Sequence, residues 1–275
     1  MTMLASWVGI DPHGICSAYI VTDSRFTWDL GHHLHFDYGK KVFASLTYPE
    51  IFGYIGDVLF PSIALSQLIS MIDSGVIFNS DISCKIKSKI VFDFLCNELK
   101  NYPEGCMNDS LEIIHISRDT IVSDYPEFHE FHYIWSKKSG WNKYEKPIPK
   151  VSGLLYVGGS GKAEFESNYH KYQNGNNSDT SRNVFHCFVD TLSNINDIYC
   201  GGAPQLVGVY RKPNSYAKNF GIIYNKQKYF LGSIVTENSQ YPSIEWRNEL
   251  FEIVDGQTKK IMPGAQRQPN GLRKF

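Results

Sequence analysis

Five short pieces of this chain carry residues able to do chemistry, and each falls where one structural element gives way to the next. Val21-Thr22-Asp23-Ser24-Arg25 supplies a carboxylate and Gly39-Lys40-Lys41-Val42-Phe43 an ammonium. Phe52-Gly53-Tyr54-Ile55-Gly56-Asp57 is a glycine turn, and Val157-Gly158-Gly159-Ser160-Gly161 sets a hydroxyl in a glycine-rich loop. Asn196-Asp197-Ile198-Tyr199-Cys200-Gly201-Gly202 adds a second carboxylate beside a thiol. A hydroxyl that attacks at physiological pH needs a base, a cation that keeps the base unprotonated, and a backbone N–H for the oxyanion. Singly, each piece has a plainer reading. Asp23 with Lys41 is a surface ion pair worth ~0–1 kcal/mol. Residues 158–161 are a helix-start loop of the anion-binding kind, and Cys200 is a small buried residue.

Other clusters carry less. His32-His33-x-His35 lies between strands with no neighbouring Cys or ligand-spaced carboxylate pair, so it reads as a solvated loop. His129 and His132 fall on opposite faces of an alternating strand and cannot share one metal. Lys137, Lys138, Lys143, Lys146 and Lys150, interleaved with Trp135, Trp141 and Tyr144, read as a solvated basic loop that covers an edge or meets a partner. Six scattered cysteines without a C-x-x-C pair read as the reduced thiols of a cytoplasmic protein, not as a disulfide frame or a zinc site.

The elements that must position these pieces are legible from periodicity. Short β-prone runs at residues 7–10 and 17–21 flank the turn Asp11-Pro12-His13-Gly14, and a second pair at 41–44 and 51–55 flanks Thr47-Tyr48-Pro49-Glu50. Leu59, Ile63, Leu65, Leu68, Ile69 and Ile72 then keep to one helical face, closed by Gly75. A second helix is expected over 88–101, strands over 111–117, 127–135 and 153–157, and two more helices over 162–173 and 181–194. Strands return at 205–210, 220–224 and 229–231, and one more is expected at 245–254. Grouped strands and grouped helices exclude alternating βαβ units. With 275 residues, 42% hydrophobic and 20% charged, the chain affords a large core. Its net charge of −1 gives no field that draws nucleic acid or anionic membrane, and no apolar run approaches the ~20 residues of a bilayer crossing.

Taken in order, the five pieces resemble the proteasome β-subunit type of N-terminal nucleophile hydrolase over roughly residues 6–235. Val8-Gly9-Ile10 is similar to that family's V-G-I, Asp23 to the Asp after its second strand, and Lys41 to the lysine opening its third. Gly53 to Gly56 match its glycine turn, Gly159-Ser160-Gly161 its G-S-G, and Asp197-Ile198-Tyr199-Cys200-Gly201-Gly202 its D-x-x-S-G-G. The resemblance implies an αββα sandwich, two antiparallel sheets packed face to face between helix pairs. Residues 1–236 would form that domain, and 237–275 a C-terminal extension that is partly extended, poorly ordered from Gly264 onward.

The resemblance also implies roles. The chain's own α-amine, ordinarily near pKa 7.7–8.0, would be the base. Lys41, held by Asp23, would supply positive charge. The Gly56 N–H would stabilise the oxyanion, and Ser160 and Asp197 would orient the amine and a water. One departure stands out: setting Val8-Gly9-Ile10 on V-G-I places the nucleophile position at Ala5, which cannot attack. Thr2, exposed by loss of Met1, is the first candidate, provided residues 3–5 rearrange across about 10 Å. Ser6 is the alternative nucleophile, after loss of five residues; the remaining reading is a scaffold or sensing subunit with no placed nucleophile. The activity implied is hydrolysis of peptide or protein amide bonds, or of a small-molecule amide. It needs no metal or other cofactor, and it would come from a homo-oligomeric ring or stack whose unfoldase partner is unknown.

Overall fold

The computed structural model describes residues 2–29, 33–79, 82–103, 105–119, 126–175, 177–212, 215–236 and 243–267. Met1, His32 and the end of the expected tail, 268–275, lie outside the described residues.

The chain begins with the hairpin β1 (Leu4–Asp11) and β2 (Gly14–Thr22), then a small hairpin of β3 (Phe26–Asp29) and β4 (His33–Phe36). After β5 (Val42–Ala44) and β6 (Glu50–Gly56) come the helices α1 (Leu59–Asp73) and α2 (Cys84–Asn101). Next are β7 (Ser110–Arg118), β8 (Phe128–Ser136), β9 (Gly140–Lys146) and β10 (Gly153–Gly158), then α3 (Lys162–Gln173) and α4 (Ser181–Asn194). The chain closes with β11 (Gln205–Tyr210), β12 (Lys218–Tyr224), β13 (Gln227–Phe230), β14 (Ser233–Ile234), β15 (Trp246–Asn248) and β16 (Ile253–Val254).

Two larger sheets result. One runs β10-β1-β2-β11-β12-β13-β14, with β15 and β16 joined at β12; the other runs β5-β6-β7-β8-β9. Strand alternation divides the apolar side chains. Met3, just before β1, and Ala5 and Trp7 within it pack with Phe165, Phe185 and Phe188 of α3 and α4. Leu4 and Val8 of the same strand, with Ile20 and Val207, meet Val42, Ile51, Ile114 and Ile116 of the second sheet. The opposite face of that second sheet, including Phe52, Ile113 and Tyr133, packs on Phe60, Leu65 and Leu68 of α1 and Val91 and Leu95 of α2. Among the described residues no helix is long and apolar enough to cross a membrane.

Several expectations change. The supposed basic loop is strand β9, antiparallel to β8, and Lys143 lies over the rings of Phe92, Phe131 and Tyr133 at 5.9, 5.5 and 5.9 Å. Of the interleaved aromatics, Trp135 and Trp141 pack against the core shared with α1 and α2, while Tyr144 stays exposed. His35 sits in β4, paired with Thr27, rather than in a loop. Helix α2 starts four residues early because Asp119, distant in sequence, accepts from the Cys84 N–H at 3.1 Å and caps it. The expected strand over 245–254 breaks at Phe251, whose φ is +63°, into β15 and β16. There β15 pairs parallel with β12, Trp246 opposite Gly221, so the sheet is not wholly antiparallel. The extension joins the main body: Phe251 meets the rings of Trp7, Tyr19 and Phe185.

Candidate active site

The start of β1 lies mid-sheet, with Leu4 opposite Thr22 on one side and Gly158 on the other. One step further out, the Asp23 N–H donates to the Met3 carbonyl at 3.2 Å, which brings Thr2 beside Asp23. On the other edge, the Gly161 N–H donates to the Thr2 carbonyl at 3.2 Å. Gly159, at φ +92°, allows this approach, since a Cβ there would stand 2.0 Å from the Thr2 carbonyl oxygen.

Thr2, Asp23 and Lys41 are all buried, at 1%, 0% and 1% exposure, and they touch. Thr2 Oγ1 donates to Asp23 Oδ1 at 2.5 Å and accepts from Lys41 Nζ, which also donates to Asp23 Oδ1 at 2.8 Å. The Met3 N–H completes the donors on that oxygen, at 3.1 Å. Asp23 Oδ2 takes the N–H groups of Arg25 and Gly201, each at 3.1 Å. Five donors thus converge on one buried carboxylate, the condition under which a buried charge is tolerated.

The Thr2 N–H donates to Ser160 Oγ at 3.2 Å, and Ser160 lies 3.7 Å from Cys200 Sγ. Cys200 in turn donates to Asp197 Oδ2 at 3.3 Å. Burial would raise the Asp197 carboxyl, but the Ser160 hydroxyl, the Tyr199 N–H and the Cys200 thiol outweigh it and hold it below its ordinary value. Burial, then the Asp23 and Asp197 charges, push the Cys200 thiol far up, so it stays protonated. Gly56 ends β6 at φ +93°, where a Cβ would stand 2.4 Å from the Ser110 carbonyl oxygen. None of the observed hydrogen bonds ties it to Thr2.

The structure therefore brings together Thr2, Asp23, Lys41, Ser160 and Asp197, and leaves out Ala5 and Ser6. Ala5 pairs regularly with Val21 and Val157, its methyl in the α3/α4 core. The V-G-I stretch misleads because the β1–β2 hairpin runs on to Asp11 opposite Gly14. Distance from that turn does not decide which residue meets Lys41; pairing with Asp23 does. No rearrangement of residues 3–5 occurs, and the register shifts fall later, after Ser6 and after Gly9. Ser6 is fully buried and donates to Glu130 Oε2 of β8 at 2.6 Å, part of a separate network in which Glu130 and Glu112 flank His132 at 2.8 Å each.

Two supporting residues escape the sequence reading. Gln205 opens β11; its amide accepts from the Lys41 N–H at 3.1 Å and donates to the carbonyls of Asp23 at 3.1 Å and Gly39 at 2.6 Å. It locks the two charged residues in one spacing. Its signal in the sequence was a polar residue at the head of an otherwise apolar strand. Arg25 grips Asp37 through two bonds of 2.7 and 2.9 Å and covers Gly201.

No protein-family model matches this chain, and no curated protein does. Solved structures do. The chain is similar to the Anbu complex of Pseudomonas aeruginosa, described as a helical assembly, at 13% identity and TM-score 0.52, covering 86% of this chain and 88% of that one. It is also similar to Anbu, the ancestral β-subunit, from Yersinia bercovieri, at 8% identity and TM-score 0.50, covering 84% and 88%. The fold is thus that of these Anbu structures: α+β, with four helices and mainly antiparallel sheets among the described residues.

Proposed function

We propose that this protein is an N-terminal nucleophile hydrolase that cleaves peptide or protein amide bonds with the hydroxyl of Thr2, freed by removal of Met1. The observation that supports this reading most is the contact of Thr2 Oγ1 with both Asp23 and Lys41 in a buried setting. An ammonium against the hydroxyl oxygen favours the alkoxide over the alcohol. Once Met1 is removed, the nitrogen now donating to Ser160 becomes a free amine. It takes the proton from Oγ1 as that oxygen attacks the carbonyl. The Gly56 N–H holds the oxyanion, the amine returns the proton to the leaving nitrogen, and water then resolves the ester. Asp197 and Ser160 orient the amine and that water.

The proposal includes the layered αββα sandwich, in which the mouth between the sheets accepts an extended peptide, and self-association in a cytoplasmic homo-oligomer. The Pseudomonas relative's helical assembly supports self-association. Intact mass of the purified protein comes first, with loss of Met1 expected. Thr2→Ala should then abolish peptide cleavage and covalent labelling by an inhibitor selective for N-terminal nucleophiles. Retained Met1 would leave only the scaffold reading, and labelling of Thr2→Ala equal to the parent would remove Thr2 as the nucleophile. A substrate panel separates peptides from small amides.

A further inference from the structure

On the far face of the second sheet, three chemically different donors meet at the start of α2. They are the Cys84 thiol, the Asp119 carboxylate just past β7, and the His129 imidazole on β8, with ligand atoms all within 4.8 Å of one another. A tetrahedral zinc with bonds near 2.0–2.3 Å spaces its ligands by about 3.3–3.8 Å, so side-chain adjustments of about 1 Å bring the trio into range. Three separate elements supply the donors, so tertiary structure builds the cluster.

The surroundings match a cation site. His129 Nδ1 lies 2.7 Å from Glu145 Oε1 of β9, the carboxylate–histidine pairing that fixes an imidazole with Nε2 toward a metal. Glu127 Oε2 is 3.4 Å from Nε2, so a further oxygen stands on that side. Cys84 is buried at 1% exposure, whereas Asp119 and His129 are partly exposed, which leaves an entry path.

We infer that Cys84 Sγ, an Asp119 oxygen and His129 Nε2 bind one zinc ion, with Glu127 or a water as fourth ligand. The ion staples the start of α2 to the β7–β8 end of the second sheet. On binding, the Cys84 S–H bond breaks, its electron pair goes to the metal and its proton to solvent. A sulfur–nitrogen–oxygen set selects zinc over magnesium or calcium. The inference is independent of Thr2 and survives even where no hydrolysis is found.

Full-length protein is stripped with chelator and titrated with cobalt(II), then zinc. One equivalent of cobalt should give a thiolate-to-metal charge-transfer band and strong four-coordinate d–d absorption, both removed by zinc. Cys84→Ser should abolish the charge-transfer band, while Cys106→Ser, at an exposed thiol, should leave it intact. His129→Gln and Asp119→Asn should each weaken zinc binding at least ~10-fold. Those two carry the test should Cys84→Ser fold poorly, with far-UV circular dichroism as the check. Absence of the band in the parent, its persistence in folded Cys84→Ser, or zinc affinity unchanged in both other variants would overturn the site.

Discussion

Replacing Asp23 by Asn changes almost no volume yet should be among the most damaging single substitutions in the molecule. The carboxylate takes donors on both oxygens: Thr2, Met3 and Lys41 on one, Arg25 and Gly201 on the other. An amide has one acceptor oxygen, so in either orientation its NH2 faces at least two donors. Each backbone N–H left unpaired costs about 1–3 kcal/mol. The Lys41 ammonium, 1% exposed, loses its counter-charge, a breakage that costs about 3–5 kcal/mol. Even with incomplete addition, Asp23→Asn should cost at least ~4 kcal/mol, a large part of the ~5–15 kcal/mol that domains possess. Lys41→Met should cost about 3 kcal/mol, because the carboxylate keeps four donors. The double variant removes both charges, so its cost should fall short of the sum by at least ~2 kcal/mol. Urea unfolding followed by fluorescence, with Trp7 fully buried as a reporter, measures all three. A single-variant cost below ~1 kcal/mol, or a coupling within ~0.5 kcal/mol of zero, would refute the buried-pair reasoning.

Gln205→Ala should lower stability by about 2–4 kcal/mol, since three main-chain groups lose their partner; if the proposed hydrolysis holds, kcat should fall more than KM rises. Lys87→Met should cost about 3 kcal/mol by urea unfolding, because Glu50, fully buried, then keeps only His115 and Ser117 as side-chain partners among the described residues. For Glu245, burial pushes the carboxyl up, but Arg247, Lys218 and Tyr210 outweigh it and hold the pKa below the ordinary 4.5. Its contribution is therefore complete above pH 4.5 and lost as pH falls through the lower folded value. Glu245→Gln should flatten that part of the acid limb in thermal melts, and an unchanged limb would exclude the assignment. Ser6→Ala should cost about 1–2 kcal/mol through the lost bond to Glu130 while leaving labelling at Thr2 intact.

Much of the site was readable because its residues cap elements whose order periodicity reveals. Asp23 follows β2, Lys41 precedes β5, and Ser160 precedes α3. What escaped was register. A short motif such as Val8-Gly9-Ile10 says nothing about how far a hairpin extends beyond it, so residue counting placed Ala5 where pairing places Thr2. Strand β9 escaped because its lysines lie over aromatic rings, and charge alone reads as solvent. Gln205 and the Asp119 cap act through partners more than thirty residues away. Single-element patterns carry no such information.

The edge-to-face contact of Phe251 with Trp7 has a consequence for biosynthesis. The seventh residue leaves the ribosome early, but the ring that completes its surroundings is made 244 positions later. At ~5–20 residues per second, that interval is roughly 12–50 s, during which the nascent chain holds an indole without its lid. Chaperones that shield apolar segments have that window in which to act, and a stop codon placed before position 251 leaves it open permanently.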